Sequence, residues 1–254
     1  MNSLTSTFRV WGALMLRDIG LRAPGSRFGY ILDLVQPFFQ LGMMYGVFYN
    51  IGRVSDFGPS LFIFLFSGVF PYFLFTHTTA RVMTVYKRAR AFAPLHRFGT
   101  IDLAIALVIL ETLTVVVMGA GALLIGGAFG LPNSEPYNLP QLILSVVTMS
   151  FLALGVGLFN TCLVEYFGAW RLLWSVIARS LIFFSNVFYV VDFLPPVARH
   201  ILFWNPVLHG VIWFRVGLYP NYPTSTFSPA YMIGFSITAL LIGMTMERIL
   251  RKTE

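Results

Sequence analysis

Two charged side chains, Glu111 and Arg179, interrupt long apolar runs of this sequence. An isolated ion in hydrocarbon is costly, so each should meet an opposite charge or a water-filled path. Counted from the charge-rich ends of their runs, Glu111 lies roughly 14 Å deep and Arg179 roughly 10 Å deep, at about 1.5 Å per helical residue. Two interpretations follow. Either the two side chains form an ion pair between helices, or Arg179 faces an aqueous path and contacts an anionic substrate.

The chain contains no recognisable catalytic motif. A phosphate-binding P-loop needs glycine directly before lysine, followed by serine or threonine. The two lysines, Lys87 and Lys252, follow Tyr86 and Arg251 instead, and neither GxSxG nor HExxH occurs. The single cysteine, Cys162, excludes an intramolecular disulfide and a cysteine-based metal site. We therefore expect no catalytic, cofactor-binding or metal site, and an ATP-driven role would require a separate ATPase subunit that holds ATP and magnesium.

The elements that must position these residues are apolar helices. Of 254 residues, 57% are hydrophobic and 11% are charged, whereas a soluble domain is about one quarter charged. Apolar runs of about 20 residues recur, as expected for helices that cross a bilayer, and their continuity disfavours a β-barrel. The sequence predicts an all-α membrane protein with six transmembrane helices, near residues 30–51, 60–83, 101–129, 140–164, 172–191 and 229–246.

Residues 1–28 are predicted to form an amphipathic helix at the cytoplasmic membrane interface, ahead of a six-helix transmembrane domain over residues 29–254. Apolar side chains recur at helical spacing between charged ones, which is typical of a helix lying among lipid headgroups. The alternative is a cytosolic helix packed on a partner. The apolar positions are Leu4, Phe8, Trp11, Met15 and Ile19.

Positive charge is concentrated in residues 81–102, which the positive-inside rule assigns to the cytoplasm. The net charge of +7 therefore reflects membrane topology rather than binding to nucleic acid. Apolar Phe92, Leu95 and Phe98 lie among these charges, and this pattern favours a docking helix for a cytoplasmic protein. A solvated or headgroup loop is the alternative.

Residues 192–228 are apolar but broken, by Pro195-Pro196, Asn205-Pro206 and Pro220. If this stretch crossed the membrane once, the basic tail from Arg248 would lie outside. If it dips in and returns, about 14 of the 17 Lys and Arg residues lie inside or at inner helix ends. We therefore predict two short external re-entrant helices, over residues 194–204 and 206–218, with Asn205 as a cap and Pro206 in the first turn.

The order of these features resembles the permease subunit of type 2 ABC exporters, in the branch that exports capsular polysaccharide and lipid-linked O-antigen. The resemblance covers essentially the full chain. It is carried by Arg17-Asp18 followed by Gly29-Tyr30 and Gln36-Pro37, and by the pattern of Asn205, Pro206, His209 and Arg215 before the last helix.

This resemblance implies a half-transporter in the bacterial inner membrane, with both termini cytoplasmic. Two copies would form one channel above two ATPase subunits, among membrane lipids, with a polysaccharide as substrate. A periplasmic adaptor and an outer-membrane exporter would follow. An exporter of a small molecule or lipid with the same topology is the alternative, and a secondary carrier or membrane-embedded enzyme is a further one.

Three sets of residues are candidates for function. Coupling to an ATPase is assigned to the N-terminal helix, the basic loop and the turn at 165–171: Arg17, Asp18, Lys87, Arg88, Arg90, Phe92, Leu95, Arg97, Tyr166 and Trp170. Because sugar rings present apolar faces, aromatic side chains are candidates for the substrate path beside Arg179: Tyr45, Tyr49, Phe70, Tyr72, Phe184 and Tyr189, with Trp204 and Trp213 as further stacking candidates. The external gate is assigned to Asn205, Pro206, His209, Trp213 and Arg215.

Overall fold

The computed structural model describes residues 3–21, 29–91 and 99–252. Within these ranges the chain forms ten α-helices and one short 3-10 helix, Val191–Phe193, and no strand. The α-helices are α1 (Ser3–Leu21), α2 (Gly29–Asn50), α3 (Leu61–Val82), α4 (Val85–Ala91), α5 (Thr100–Ala128), α6 (Leu139–Tyr166), α7 (Trp170–Phe184), α8 (Pro196–Leu202), α9 (Pro206–Leu218) and α10 (Pro229–Lys252).

Several helices begin at polar side chains that satisfy free backbone N–H groups. Ser60 accepts a hydrogen bond from the Ile63 amide at the start of α3, and Asn138 accepts one from Gln141 at the start of α6. Asn205 does the same for Val207 at 3.0 Å, with Pro206 in the first turn of α9. The predicted cap at Asn205 is therefore confirmed.

Four helices are long and apolar enough to cross a membrane: α3, α5, α6 and α10. The bent pair α8–α9, with an angle of 104° between its two helices, passes the same length and composition test as one unit. Helices α2 and α7 occupy the two remaining predicted positions. However, α7 has 15 residues and ends at Phe184, short of the predicted end at residue 191.

Helix α6 forms the centre of the bundle and packs against α10, α3 and α9. Its crossing with α10 is close because both helices carry glycine at the contact. A Cβ atom at Gly155 would lie 2.5 Å from the backbone nitrogen of Leu240, and one at Gly243 would lie 2.5 Å from the carbonyl oxygen of Gly155. Small residues at such crossings let the two backbones approach.

Helix α1 packs along the first half of α5. Leu14 is buried in a cluster with Leu103 and Leu107, and the Trp11 indole donates a hydrogen bond to Asp102. Asp18, one turn after Leu14, is buried and paired with Arg88 on α4. One face of α1 is therefore held by the chain's own helices, at the end of the bundle that carries α4.

Candidate functional site

A polar cleft of about 610 Å³ opens between α2, α3, α4 and α7. Three arginines and a histidine line it, together with hydroxyl and amide side chains and with Tyr72. The polar lining residues are Gln40, Thr76, His77, Arg81, Thr84, Arg88, Ser175 and Arg179. None of the described lining residues is a carboxylate and three are arginines, so this lining is basic.

Helical spacing brings the basic side chains to one wall. His77, Arg81, Thr84 and Arg88 follow one another at intervals of four, three and four residues. This spacing keeps side chains on one helical face, and the turn between α3 and α4 does not break the stripe. The opposite wall is α7. The hydroxyl group of Tyr72 on α3 donates a hydrogen bond of 2.6 Å to the carbonyl of Ala178 on α7.

Two of the cleft arginines form ion pairs with carboxylates that do not line the cleft. The Arg81 Nε atom lies 3.6 Å from the buried carboxylate of Glu111 on α5, and Arg88 pairs with Asp18 on α1. Arg179 is exposed and forms no ion pair with a carboxylate of the described residues. Of the two interpretations of Glu111 and Arg179, the ion pair between them is therefore wrong, and Arg179 lines the cleft.

The reason for this difference is the length of α5. A helix of 29 residues spans roughly 43 Å, which exceeds a hydrocarbon core of about 30 Å. Depth counted from the start of α5 therefore does not give the depth of Glu111 in the hydrocarbon core. Glu111 instead reaches Arg81 near the end of α3.

This cleft has the chemistry of a binding site for an anionic, hydroxyl-rich ligand. Arginine offers several directed N–H donors to oxyanions, and threonine, serine and glutamine side chains exchange hydrogen bonds with hydroxyl groups. Among the described residues no cluster of three or more potential metal ligands occurs.

The predicted path residues do not gather in one place. Tyr72 and Arg179 line the cleft, whereas Tyr45 and Tyr49 stack on each other at 5.8 Å on α2. Phe184 is exposed at the end of α7, Tyr189 donates a hydrogen bond to the Phe183 carbonyl, Trp204 is exposed and Trp213 is buried.

Phe70, which was predicted to line the substrate path, instead belongs to the core. Its ring packs against Phe66 and Phe214, and a Cβ atom at Gly119 would lie only 2.6 Å from it. An aromatic side chain that fills the space over a glycine on the neighbouring helix is not available to a substrate.

The predicted coupling residues lie at the end of the bundle that carries α1 and α4. Arg17 and Lys87 are exposed, Asp18 and Arg88 form a pair, and Tyr166 is exposed at the end of α6. Trp170 donates a hydrogen bond to Asn160 at 3.0 Å. The side chain of Arg90 and all of Phe92, Leu95 and Arg97 lie outside the described residues.

Arg215 was expected at the external surface but is fully buried. Its guanidinium group donates hydrogen bonds to the Phe64, Val187 and Tyr189 carbonyls, to the Ser67 hydroxyl and to the Tyr222 hydroxyl, and it lies 4.0 Å from the Phe64 ring centre. Gly68 makes room, because a Cβ atom there would lie 2.8 Å from this group. Arg215 therefore joins α3, α9 and the segment after α7.

The other predicted gate residues also make fixed contacts. His209 accepts a hydrogen bond from the Ser228 amide at Nδ1, so its Nε2 atom carries the proton and donates to the Phe203 carbonyl at 2.7 Å. The Trp213 indole donates to Gln141 on α6 at 2.6 Å. Asn205 also donates to the carbonyl of Phe184 at the end of α7.

Arg81, His77 and the hydroxyl residues of the cleft were missed by the sequence analysis. The signal was present, because His77, Arg81, Thr84 and Arg88 form a polar stripe that continues from an apolar helix into the basic segment. The stripe was not recognised because Arg81 was assigned to a loop, whereas it lies in the last turn of α3.

With the geometry established, the class of protein follows from a match to a family model described as the ABC-2 type transporter, which covers residues 9–219. The chain therefore belongs to the ABC-2 type transporter family, a family of membrane proteins.

Among its relatives is the polysialic acid transport protein KpsM of Escherichia coli, 27% identical over 236 residues, which are 93% of this chain and 91% of the relative. The capsule polysaccharide export inner-membrane protein CtrC of Neisseria meningitidis serogroup A is 24% identical over 97% of this chain and 92% of its own length. The capsule polysaccharide export inner-membrane protein BexB of Haemophilus influenzae is 25% identical over 44% of this chain and 43% of its own length.

Proposed function

We propose that this chain is the channel-forming subunit of an ATP-driven exporter that carries an acidic, lipid-linked capsular polysaccharide across the bacterial inner membrane. The observation that carries the proposal is the basic cleft between α3, α4 and α7, in a chain similar over nearly its full length to proteins named for capsule export. Its free cation, Arg179, would contact the anionic groups of the sugar chain, and its hydroxyl side chains would bind the sugar hydroxyls.

Energy would come from a separate ATPase subunit that holds ATP and magnesium, because the chain has no phosphate-binding lysine. We place the contact with this subunit at α1, α4 and the turn after α6. The pair of Asp18 and Arg88 would transmit its movement directly, since Arg88 is both bonded to α1 and part of the cleft wall.

Two copies would enclose one channel between them. Support comes from α7, which buries only Ile182 of its own residues, and from α2, where Phe39, Met43 and Val47 are exposed on one face. In this arrangement six helices cross the membrane, both termini are cytoplasmic, α1 lies at the inner interface, and α8 and α9 are re-entrant from outside. A periplasmic adaptor and an outer-membrane exporter would receive the polysaccharide.

The test uses the purified complex of this chain with its ATPase subunit in lipid nanodiscs. An acidic capsular polysaccharide should stimulate ATP hydrolysis, and Arg179→Gln should raise the half-saturating concentration about tenfold, as loss of one charged hydrogen bond worth about 1.5 kcal/mol requires. Arg248→Gln, which removes an exposed charge outside the cleft, is the matched control.

A deletion strain completes the test. Loss of the gene should leave capsule polysaccharide inside the cell. Normal capsule at the surface would exclude polysaccharide export and favour a small-molecule or lipid exporter. Equal stimulation of wild type and Arg179→Gln would remove Arg179 from the substrate site.

A further inference from the structure

A second cavity, of about 490 Å³, lies on a different face of α7 from the polar cleft. Trp170, Trp174, Ile177 and Leu181 form its α7 wall, at intervals of four, three and four residues. Ser175, Ala178 and Arg179 point instead to the polar cleft. Helix α7 therefore separates a basic cleft from an apolar groove, whose other walls belong to α3, α6, α9 and α10.

Two buried N–H donors at one end of this groove have no acceptor among the described residues. They are the Nδ2 atom of Asn160 and the Nε1 atom of Trp174, both lining residues. Asn160 is completely buried, and its Oδ1 atom already accepts from Trp170. A buried donor left without a partner costs about 1–3 kcal/mol, so this end is suited to a ligand that brings an acceptor oxygen.

The shape of the groove limits what that ligand can be. From Trp170 to Leu181 the wall extends over roughly 16 Å, at about 1.5 Å per residue. The groove's other polar lining residues, Asn205 and Thr238, are bonded within the protein, and the rest of the wall is apolar. Ile177 and Ile242 on its rim are 42% and 47% exposed. The groove therefore opens sideways on the outside of the bundle, within the apolar length of α6 and α10.

A helix of a second protein would not meet these requirements. Its backbone carbonyls are already bonded within the helix, so an apolar helix would leave the two donors unpaired. A lipid acyl chain fits the apolar length, and the ester carbonyl at its head supplies the acceptor.

We propose that this groove holds an acyl chain of a membrane phospholipid, with its ester carbonyl bonded to Asn160 and Trp174. The lipid would support α7 against α6 and α10, and α7 in turn forms one wall of the basic cleft. The width of the cleft would therefore depend on a lipid that is not the transported substrate.

Native mass spectrometry of the full chain tests this, with protein purified from a host that makes no exported polysaccharide. Wild type should retain a phospholipid under conditions that remove other lipids. Asn160→Leu and Trp174→Phe, which delete one donor each, should retain it several-fold less, and Ile242→Trp should block the groove. Ile237→Trp, at an exposed α10 position outside the groove, should retain lipid as wild type does.

A second measurement detects contact between the lipid and Trp174 rather than retention of the lipid. The fluorescence difference between wild type and Trp174→Phe isolates Trp174, and phospholipids with brominated acyl chains should quench it at low mole fraction. Unquenched Trp174, or equal lipid retention in the groove variants and Ile237→Trp, would overturn the proposal. So would efficient cross-linking of two copies through Ile177→Cys, because a second chain would then occupy the groove.

Discussion

Arg215 shows how a single buried cation can organise one end of a membrane protein. From α9, its donors reach α3, the segment after α7 and Tyr222, so that polar backbone groups outside regular helices are paired within the protein. This matters in a bilayer, where no water satisfies such groups.

Replacing Arg215 with lysine should therefore destabilise the protein despite keeping the charge. A single ammonium group cannot occupy all of these directions, and the carbonyls left behind lose their donors. We expect the free energy of unfolding to fall by about 2–4 kcal/mol, measured by denaturant titration in detergent. Arg248→Lys, an exposed change of the same kind, is the control. Equal midpoints for the two variants would show that the hydrogen bonds of Arg215 do not stabilise the protein.

At the scale of elements, the sequence predicted the positions of the main helices but not where α7 ends. Ser185 and Asn186 lie inside an apolar run, and Asn186 takes a left-handed conformation with a φ of 61°. Its side chain accepts a hydrogen bond from the Val191 amide and donates one to Tyr222. These partners come from 5 and 36 residues along the chain, so hydropathy alone did not reveal the break.

The crossing of α6 and α10 also depends on tertiary placement. The spacing of Gly42 and Gly46 would permit a close helix contact, yet a Cβ atom at either would meet nothing within 4 Å. Gly155 makes the close approach instead. Nothing in its local sequence distinguishes it, because only the position of α10 makes its missing side chain necessary.

Gly155→Ala should therefore destabilise the protein, although alanine is usually more favourable than glycine within a helix. The added methyl group would meet the α10 backbone at 2.5 Å, and overpacking of this kind costs about 1–3 kcal/mol. Gly234→Ala, on α10 with open space around it, should be neutral or stabilising by up to about 1 kcal/mol. Thermal unfolding in detergent compares the two, and an equal midpoint would mean that the helices separate at little cost.

At the scale of the whole molecule, hydrogen bonds join α9 to the neighbouring helices at one end of the bundle, and we call this end the joined body. Helix α9 is bonded to α6 through Trp213, to α3 through Arg215, and to the start of α10 through His209. Asp192 accepts hydrogen bonds from the amides of Ser225 and Thr226, which closes the loop before α10. A gate at this end would therefore move as a unit, and α8, which has no buried residue, is its loosest part.

The direction of α10 decides whether α8 and α9 are re-entrant. If they return to the outside, the basic tail of α10 lies in the cytoplasm, as the positive-inside rule favours; if they form one broken span, the tail lies outside. Single cysteines placed in a Cys162→Ala background at exposed Glu135, Thr224 and Arg248 separate these arrangements in intact spheroplasts. A membrane-impermeant maleimide should label Glu135→Cys and Thr224→Cys directly, and Arg248→Cys only after lysis. Labelling of Arg248→Cys in intact spheroplasts, with Thr224→Cys protected, would instead establish a broken span and place the joined body of α9 across the membrane.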